Sequence, residues 1–266
     1  MIDLHTHLLP GVDDGSPTAA HSATILRRMQ GEGVQTVVCT PHLRASEALD
    51  APVTEHARLH EELRTIAPPE VRLLTGFEIM LDQPGLDLTS PALALGGSVA
   101  RLVEFPRRGL PAGATEELLR LRMSGVLPVV AHPERYSGCT IETLGVWREL
   151  GAVMQADGMA LLGAGPMAEF AREALAEGFV DVLASDNHGD RRSLATARDW
   201  LGEIGASEQA RLLTEENPRR LLAGNALLPV PPIRFRRGVF DRLRELVFGG
   251  RSSRSTGTRE ARATGQ

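Results

Sequence analysis

Seven short apolar segments recur along the chain, and they restrict its fold more than any other feature. They are rich in Val and Leu and form nearly continuous apolar runs, a pattern typical of parallel strands buried on both faces. Stretches with helical periodicity lie between several of them. The segments are MIDLH (1–5), VQTVVCT (34–40), VRLLTGFE (71–78), ARLVEF (100–105), LPVVAH (127–132), AVMQAD (152–157) and VDVLAS (180–185).

Strands that alternate with helices predict an α/β fold, and seven of them predict a (β/α) barrel one unit short of eight. A doubly wound open sheet is the alternative, although no G-x-G-x-x-G follows the first segment. The first helix is expected over 17–31, with Ser16 as the N-cap and Pro17 at the first helical position. The other predicted helices cover 53–66, 114–124, 140–150, 166–177 and 191–204.

Charge divides the chain into two unequal parts. Residues 229–266 contain nine arginines and carry a net charge of +6, whereas residues 1–228 carry −11. An acidic body of this kind repels phosphate backbones, so nucleic acid is not expected as a partner. We predict one domain over 1–228, and a basic tail over 229–266 in which a short amphipathic helix at 238–250 precedes disorder. Such a helix can lie on anionic lipid, which makes peripheral membrane contact a hypothesis for the tail.

The remaining composition points to an intracellular protein. Two cysteines do not make a disulfide framework. The sequence starts without the pattern of a signal peptide, and no apolar run approaches the ~20 residues of a membrane span. We therefore expect a cytoplasmic protein without a transmembrane segment.

Residue types that bind metals fall at or just beyond the ends of all the predicted strands except the sixth. In a parallel barrel these ends share one face, where active sites are built. His5 and His7 point to the same side of a strand and can converge on one ion, and Asp186 and His188 repeat this spacing. The expected ligands are His5, His7, His42, Glu78, Glu104, His132, Asp186 and His188, with Asp13 or Asp14 from the first loop.

This set exceeds the four ligands that a single zinc ion usually takes, so two or three ions bridged by carboxylates are expected. Nitrogen and oxygen donors without thiolate suit Zn, Mn or Fe, and the spacing does not choose among them. Taken alone, His42 or Glu78 would more commonly be a solvated group than a metal ligand. Because nearly every predicted strand ends in a residue type that binds metals, the set as a whole indicates a metal site. His56 and His60 lack the Glu of H-E-x-x-H and are predicted on a solvated helix face.

Six motifs together resemble the polymerase-and-histidinol-phosphatase (PHP) superfamily. Within it, the chain is most similar to the bacterial manganese-dependent tyrosine phosphatases of capsule and exopolysaccharide operons. The resemblance covers about residues 1–225, and the opening H-x-H…PGVDDG and the sequence HPER carry most of its specificity. The motifs are MIDLHTHLLPGVDDGS (1–16), TPH (40–42), GFE (76–78), EFP (104–106), AHPERY (131–136) and ASDNHG (184–189).

The resemblance implies a distorted seven-stranded barrel with a trinuclear metal centre. It favours Mn, with Fe or Zn as alternatives, and Asp14 over Asp13. Arg135 of HPER would bind the substrate phosphate together with Arg191 or Arg192, which the motif does not separate. Asp186 or His188 would assist catalysis. The implied metal ligands are His5, His7, Asp14, His42, Glu78, Glu104, His132, Asp186 and His188.

The implied reaction is phosphomonoester hydrolysis by a metal-activated hydroxide, with a phosphotyrosine protein as substrate. A membrane-anchored bacterial tyrosine kinase would be its partner. A cysteine nucleophile would need C-x5-R, but only four residues separate Cys39 from Arg44. The alternatives are a small-molecule phosphatase of the histidinol-phosphate type and a non-catalytic metal-binding regulatory module.

Overall fold

Every strand pairing in the computed structural model is parallel, over the described residues 1–106 and 109–233. The parallel α/β architecture predicted from the apolar runs is therefore confirmed. Each of the seven runs contains a strand. The strands are β1 Ile2–Thr6, β2 Thr36–Cys39, β3 His42–Arg44, β4 Arg72–Thr75, β5 Glu78–Met80, β6 Ala100–Glu104, β7 Leu127–Ala131, β8 Val153–Asp157 and β9 Val182–Ala184.

The predicted count of seven strands is not confirmed, because the described part of the chain contains nine. A short additional strand follows each of the second and third runs: β3 begins two residues after the second run, and β5 begins at Glu78, the last residue of the third. Pro41, which has no N–H to donate to a strand ladder, separates β2 from β3. Gly76 lies between β4 and β5, where a Cβ would come within 3.0 Å of Leu95 Cδ1. The result is a three-stranded sheet, β1-β2-β4, and a six-stranded sheet, β3-β5-β6-β7-β8-β9.

The first strand lies beside the segment that follows the last strand, an arrangement that an open doubly wound sheet does not have. The Asp186 N–H donates to the carbonyl of His5 at 3.0 Å, and the His7 N–H donates to the carbonyl of Asn187 at 2.8 Å. These hydrogen bonds join residues that are about 180 positions apart in sequence. The C-terminal ends of β1 and β9 are thereby held together.

All six predicted helices are confirmed within three residues at each end, but the predicted N-cap of the first was wrong. This helix begins at Ala19, and its N-cap is Thr18, whose side chain accepts from the N–H of His21. Ser16 is instead buried in the preceding loop, where its N–H donates to the carbonyl of His7. The helices are α1 Ala19–Gly31, α2 Val53–Ile66, α3 Ala114–Met123, α4 Ile141–Glu149, α5 Gly158–Leu162, α6 Pro166–Ala176, α7 Leu194–Glu203, α8 Ser207–Arg211 and α9 Asn217–Leu222, with a π-helical turn at Leu212–Glu216.

Aliphatic side chains from the strands form the central core. Leu4, Val38, Leu102, Val129 and Val182 belong to one buried cluster and expose no surface. Burial of each such side chain contributes about 1.5–3 kcal/mol to folding. Because this core stabilises the fold, the C-terminal ends of the strands do not have to be apolar and can carry polar groups.

The compact unit covers Met1–Ile233. The predicted tail helix at 238–250 and the predicted disorder after it lie outside the described residues. In the part of the chain that is described, no helix combines the length and the apolar character needed to cross a membrane.

A buried arginine holds the long connection between β5 and β6. Arg101 is 3% exposed, and among the described residues its guanidinium donates only to backbone carbonyls. Three of these, on Leu88, Thr89 and Ser90, lie in the connection at 2.8–3.1 Å. Since buried carbonyls need donors, this single side chain sets the path of a segment without regular strands.

Replacement of Arg101 by Met should remove these donors while keeping an unbranched apolar side chain. We expect the free energy of unfolding to fall by about 3 kcal/mol, because several buried carbonyls lose their partners. Denaturant unfolding would measure this. Arg58→Met, on the exposed face of α2, is the matched control and should leave stability unchanged. Equal stability of the two variants would contradict the role assigned to Arg101.

Candidate metal centre

Two imidazoles at the end of β1 direct lone pairs into the same space. The Nε2 atoms of His5 and His7 are 3.2 Å apart, and both residues are fully buried. His5 Nδ1 donates to Gln155 Oε1 at 2.9 Å, and His7 Nδ1 donates to Asp13 Oδ2 at 2.7 Å. Since amide and carboxylate oxygens accept these hydrogen bonds, each Nδ1 carries the proton and each Nε2 is free to act as a ligand.

Two carboxylate oxygens face the same pair of nitrogens. Glu78 Oε2 and Asp186 Oδ1 each lie 3.2–3.3 Å from both Nε2 atoms. Both oxygens are buried and accept no well-directed hydrogen bond from the described residues. Ligands bound at about 2.0–2.2 Å to one ion stand roughly 3 Å apart, so these four atoms fit the shell of a metal ion.

Glu78 connects this group to further ligand atoms. Its Oε1 lies 2.7 Å from His132 Nε2, and its Oε2 lies 2.9 Å from His42 Nδ1. Glu104 reaches the same two imidazoles at 3.8–3.9 Å. The structure thus brings all the predicted ligands into four overlapping groups, each compact enough for an ion. Their members are His5, His7, Asp14, His42, Glu78, Glu104, His132, Asp186 and His188.

The two aspartates of the first loop have different positions. Asp13 contacts the Nδ1 of His7, on the side of the ring away from the cluster. Asp14 Oδ1 lies 3.3 Å from His42 Nε2 and 3.5 Å from His188 Nε2, and 73% of its side chain is exposed. Asp13 therefore fixes the ring of His7, while Asp14 lies with His42 and His188 in one of the four groups. The choice of Asp14 as a ligand stays a prediction.

Local backbone geometry differs from the expectation that ligands follow strand ends. His42 and Glu78 are the first residues of β3 and β5, because the two bends start new strands at this end of the sheet. His132 and Asp186 have φ values of 33° and 48°, and they are the only non-glycine residues in 1–106 and 109–233 with positive φ. This left-handed conformation is unfavourable for L-residues, so the surrounding hydrogen bonds must hold it.

Electrostatics in the cluster favour binding of a cation. Burial alone would lower the pKa of His5, but Glu78 and Asp186 raise it to about 9. Burial would likewise raise the pKa of Glu78, but His5, His132 and His42 hold it well below its usual value. The carboxylates therefore stay ionised and attract positive charge. A metal ion would replace the protons on the imidazoles.

Arginines border the cluster on one side. Arg135 Nη2 donates to Asp157 Oδ2 and Asp186 Oδ2, both at 2.6 Å. Arg192 Nη1 donates to Asp186 Oδ2 at 2.9 Å. Arg191 is exposed, and its side chain makes no described hydrogen bond or ion pair within 1–106 and 109–233. Geometry thus separates the two neighbours, and Arg192 is the one beside the cluster.

Three supporting residues carry signals that the sequence analysis did not use. The sixth apolar run closes on Asp157, so the inference that this strand has no ionisable end was wrong. Glu134 of HPER is buried, and its Oε1 accepts from the N–H of Asp157 at 2.8 Å. Burial and the charge of Asp157 raise the pKa of Glu134 to about 8. Gln155 is a polar residue within the sixth apolar run, and its hydrogen bond with His5 explains its presence there.

The solvated face predicted for His56 and His60 was also wrong. Both side chains are half-buried, and the His56 ring lies 5.3 Å from that of Phe77. Burial lowers the pKa of both imidazoles. They belong to the packing of α2 on the sheet and lie outside the four ligand groups.

Two grooves flank the ligand cluster and meet at Asp14. The larger, of about 950 Å³, is bordered by His188 and the two arginines, and has an apolar wall from α5 and α6. The smaller, of about 460 Å³, is lined by residues of β3, β5 and β6. An extended substrate can therefore approach the cluster from either side. Apolar residues of the larger wall are Met159, Ala160, Pro166, Met167 and Phe170.

Comparisons with known proteins agree with this geometry. The profile of a family described as "Capsular polysaccharide synthesis, CpsB/CapC" matches residues 1–223. The chain is 28% identical to the tyrosine-protein phosphatase YwqE of Bacillus subtilis (strain 168), covering 87% of this chain and 95% of the relative. It is also 28% identical to the tyrosine-protein phosphatase CpsB of Streptococcus pneumoniae, covering 84% of this chain and 98% of that protein.

A solved structure is similar over nearly the same range. It comes from work on YwqE and CpsB as "unique metal-dependent tyrosine phosphatases". The match has a TM-score of 0.72 and 27% identity, and covers 89% of this chain and 100% of that one. The solved structure thus shares the fold of this chain over most of its length.

Replacement of Asp13 by Asn should weaken metal binding without removing a ligand. We expect the affinity for Mn²⁺ to fall about tenfold to a hundredfold, because His7 loses the charged acceptor that fixes its tautomer. Calorimetric titration would measure this. Asp82→Asn is the matched control, since Asp82 also accepts from a backbone N–H and a side chain, but both of these hydrogen bonds are with Ser46 and neither involves His7. An Asp13→Asn protein that binds Mn²⁺ as tightly as the parent would refute the assignment.

Proposed function

Because the chain belongs to the CpsB/CapC family of capsular polysaccharide synthesis, we propose that it is a metal-dependent protein-tyrosine phosphatase. One observation carries this proposal. Two buried imidazole nitrogens lie 3.2 Å apart, and two buried carboxylate oxygens each lie within 3.3 Å of both nitrogens, directly beside two arginines and a groove that is open to a protein substrate. The substrate would be a phosphotyrosine protein of capsule or exopolysaccharide synthesis.

The nine clustered side chains would hold two or three metal ions, with Mn²⁺ first and Fe or Zn as alternatives. Their donor atoms are imidazole nitrogens and carboxylate oxygens, a set that suits these metals. When bound, such ions lower the pKa of coordinated water and neutralise charge on phosphoryl oxygens. The cluster residues are His5, His7, Asp14, His42, Glu78, Glu104, His132, Asp186 and His188.

Arg135 and Arg192 would bind the phosphate. The planar guanidinium can contact two phosphate oxygens at once, and both side chains line the larger groove. Burial would lower the pKa of Arg135, but Asp186 and Asp157 raise it, so the charge is retained. Asp186 and His188 serve this reaction from their positions in the cluster. We assign no separate general acid, because a tyrosine phenolate has a pKa of only about 10.

The apolar wall of the larger groove suits an aromatic substrate. Met159, Met167 and Phe170 lie in the same groove as Arg135 and Arg192. A phosphate held by the arginines would leave its aryl group beside this wall, where burial of apolar surface favours binding. An alkyl phosphate such as histidinol phosphate would gain less from it.

Neither described cysteine supports a thiolate mechanism. Cys39 is fully buried, and burial raises the pKa of its thiol to about 12. The pKa of Cys139 is raised to about 12 by the same cause. Both thiols stay protonated at neutral pH, and a protonated thiol is a poor nucleophile.

We further propose that the two sheets form one distorted barrel of seven positions. β2 with β3, and β4 with β5, would each count as one bent strand. Hydrogen bonds continue across the bends, from the Gly76 N–H to the carbonyl of Cys39 and from the Glu78 N–H to that of Pro41. The contact of β1 with the segment after β9 would close the wall.

Removal of metal should abolish hydrolysis of a phosphotyrosine peptide, and Mn²⁺ should restore it. His5→Ala should reduce turnover to background, whereas Cys39→Ser should keep it, because the thiol takes no part. Phosphate release from a phosphotyrosine peptide and from histidinol phosphate, at equal concentrations, would be measured. Activity that survives chelation would refute the metal mechanism. A preference for histidinol phosphate would indicate the small-molecule alternative, and failure on both substrates the non-catalytic one.

The basic tail suggests that the protein encounters its substrate at a membrane surface. Its net charge of +6 over 229–266 would draw the protein toward anionic lipid and so toward a membrane-anchored tyrosine kinase. Deletion of residues 234–266 should weaken binding to phosphatidylserine vesicles and leave peptide hydrolysis intact. Vesicle co-sedimentation at low and high salt would test this, with neutral vesicles as the control. Equal binding of both proteins would exclude a lipid role for the tail.

A further inference from the structure

The carboxylate at the end of β8 makes contacts in three directions. Asp157 Oδ2 accepts from Arg135 Nη2 at 2.6 Å, and Oδ1 accepts from the N–H of Met159 at 2.8 Å. Its own N–H donates to Glu134 Oε1 at 2.8 Å. The side chain is 9% exposed. Asp157 is thereby fixed by the strand, by the start of α5 and by the turn that carries Arg135.

The contacts of Arg135 leave a defined part of its guanidinium free. Nη2 donates to Asp157 on one side and to Asp186 on the other, both at 2.6 Å. Within 1–106 and 109–233, these are the only hydrogen bonds of the side chain. Nε and Nη1, with three of the five N–H donors, make no hydrogen bond to the described residues, and the side chain lines the larger groove.

We propose that Asp157 is a positioning residue that holds Arg135 in the orientation needed for phosphate binding. Two carboxylates that grip the same nitrogen fix both the place and the plane of the guanidinium. With Asp186 alone, the guanidinium would turn toward that carboxylate and toward Arg192. The inference rests on the proposed function, because it takes phosphate as the ligand of Arg135.

The direction in which phosphate affinity changes when Asp157 is replaced distinguishes a positioning role from a purely electrostatic one. Asp157 is itself negative and lies beside the place assigned to a phosphate. If orientation did not matter, removal of this charge would strengthen phosphate binding, because like charges repel. A positioning role predicts the opposite, since a misdirected arginine loses directional hydrogen bonds.

The test uses inorganic phosphate as the probe and the full chain loaded with Mn²⁺. Calorimetry would give the Kd for phosphate, independently of turnover. We expect Asp157→Ala to raise the Kd about tenfold, and Asp157→Asn to raise it less, because Asn keeps a neutral acceptor and can still cap α5. In a protein that already carries Arg135→Ala, the further change Asp157→Ala should no longer raise the Kd and should lower it slightly, because only the repulsion between the Asp157 carboxylate and phosphate is then removed.

Asp181 provides a matched control at the opposite end of the strands. It is also buried, accepts from a guanidinium (Arg148 Nη2, 3.1 Å) and accepts from a backbone N–H (Met154, 2.9 Å). Asp181→Asn should destabilise the fold as Asp157→Asn does, yet leave the Kd for phosphate unchanged. Equal losses in both variants would mean a general structural role and would overturn the proposal.

Two further results would also overturn it: unchanged or tighter phosphate binding by Asp157→Ala, or no phosphate binding by the parent protein. Failure of the proposed function would look different. The parent protein would then bind phosphate and respond to the Asp157 variants as described, but would not hydrolyse phosphotyrosine peptide.

Discussion

The contact between the first strand and the segment after the last strand determines the rest of the site. Hydrogen bonds from Asp186 to His5 and from His7 to Asn187 fix these two segments in register. Ligands from the start and the end of the folded unit are thereby brought to one point. Because the other strands lie in parallel between them, their C-terminal ends must open toward the same place.

Buried charge is the main energetic problem of this end of the molecule. Isolated ionised groups are costly to bury, and a protein usually pairs or hydrogen-bonds them. Here His5 and His7 have their outer nitrogens bonded to Gln155 and Asp13, so only the inner nitrogens remain open. Burial of the apolar core offsets the unfavourable free energy of burying these charged groups. Glu78 connects the four groups of the cluster.

Much of the site follows from sequence because strand ends and residue spacing are local properties. Buried parallel strands leave a run of Val and Leu, and His5 and His7 are two residues apart, so their shared face could be predicted. The bends at Pro41 and Gly76 could not, because each depends on what packs against the strand. The N-cap at Thr18 was not predicted for a similar reason. Ser16, the residue predicted instead, lies in the preceding loop, where its N–H donates to the carbonyl of His7.

The supporting residues were the hardest to predict. Asp157 contacts Glu134 and Arg135 because β7 and β8 pair, and nothing in the spacing of the sequence indicates these contacts. Arg191 and Arg192 are adjacent in sequence and identical in type. Only the backbone path after Asp186 turns one of them toward the cluster.

The position of the Asp186 carboxylate has a thermodynamic consequence. Its Oδ1 faces His5 and His7, while its Oδ2 holds Arg135 and Arg192. One carboxylate is thus shared between the ligand cluster and the arginines. A cation that draws negative charge toward Oδ1 must weaken the hydrogen bonds that Oδ2 accepts from the two arginines. The affinity of the arginines for an anion must change as a result. Linkage is reciprocal, so an anion on the arginines must change the retention of the cation by the same factor.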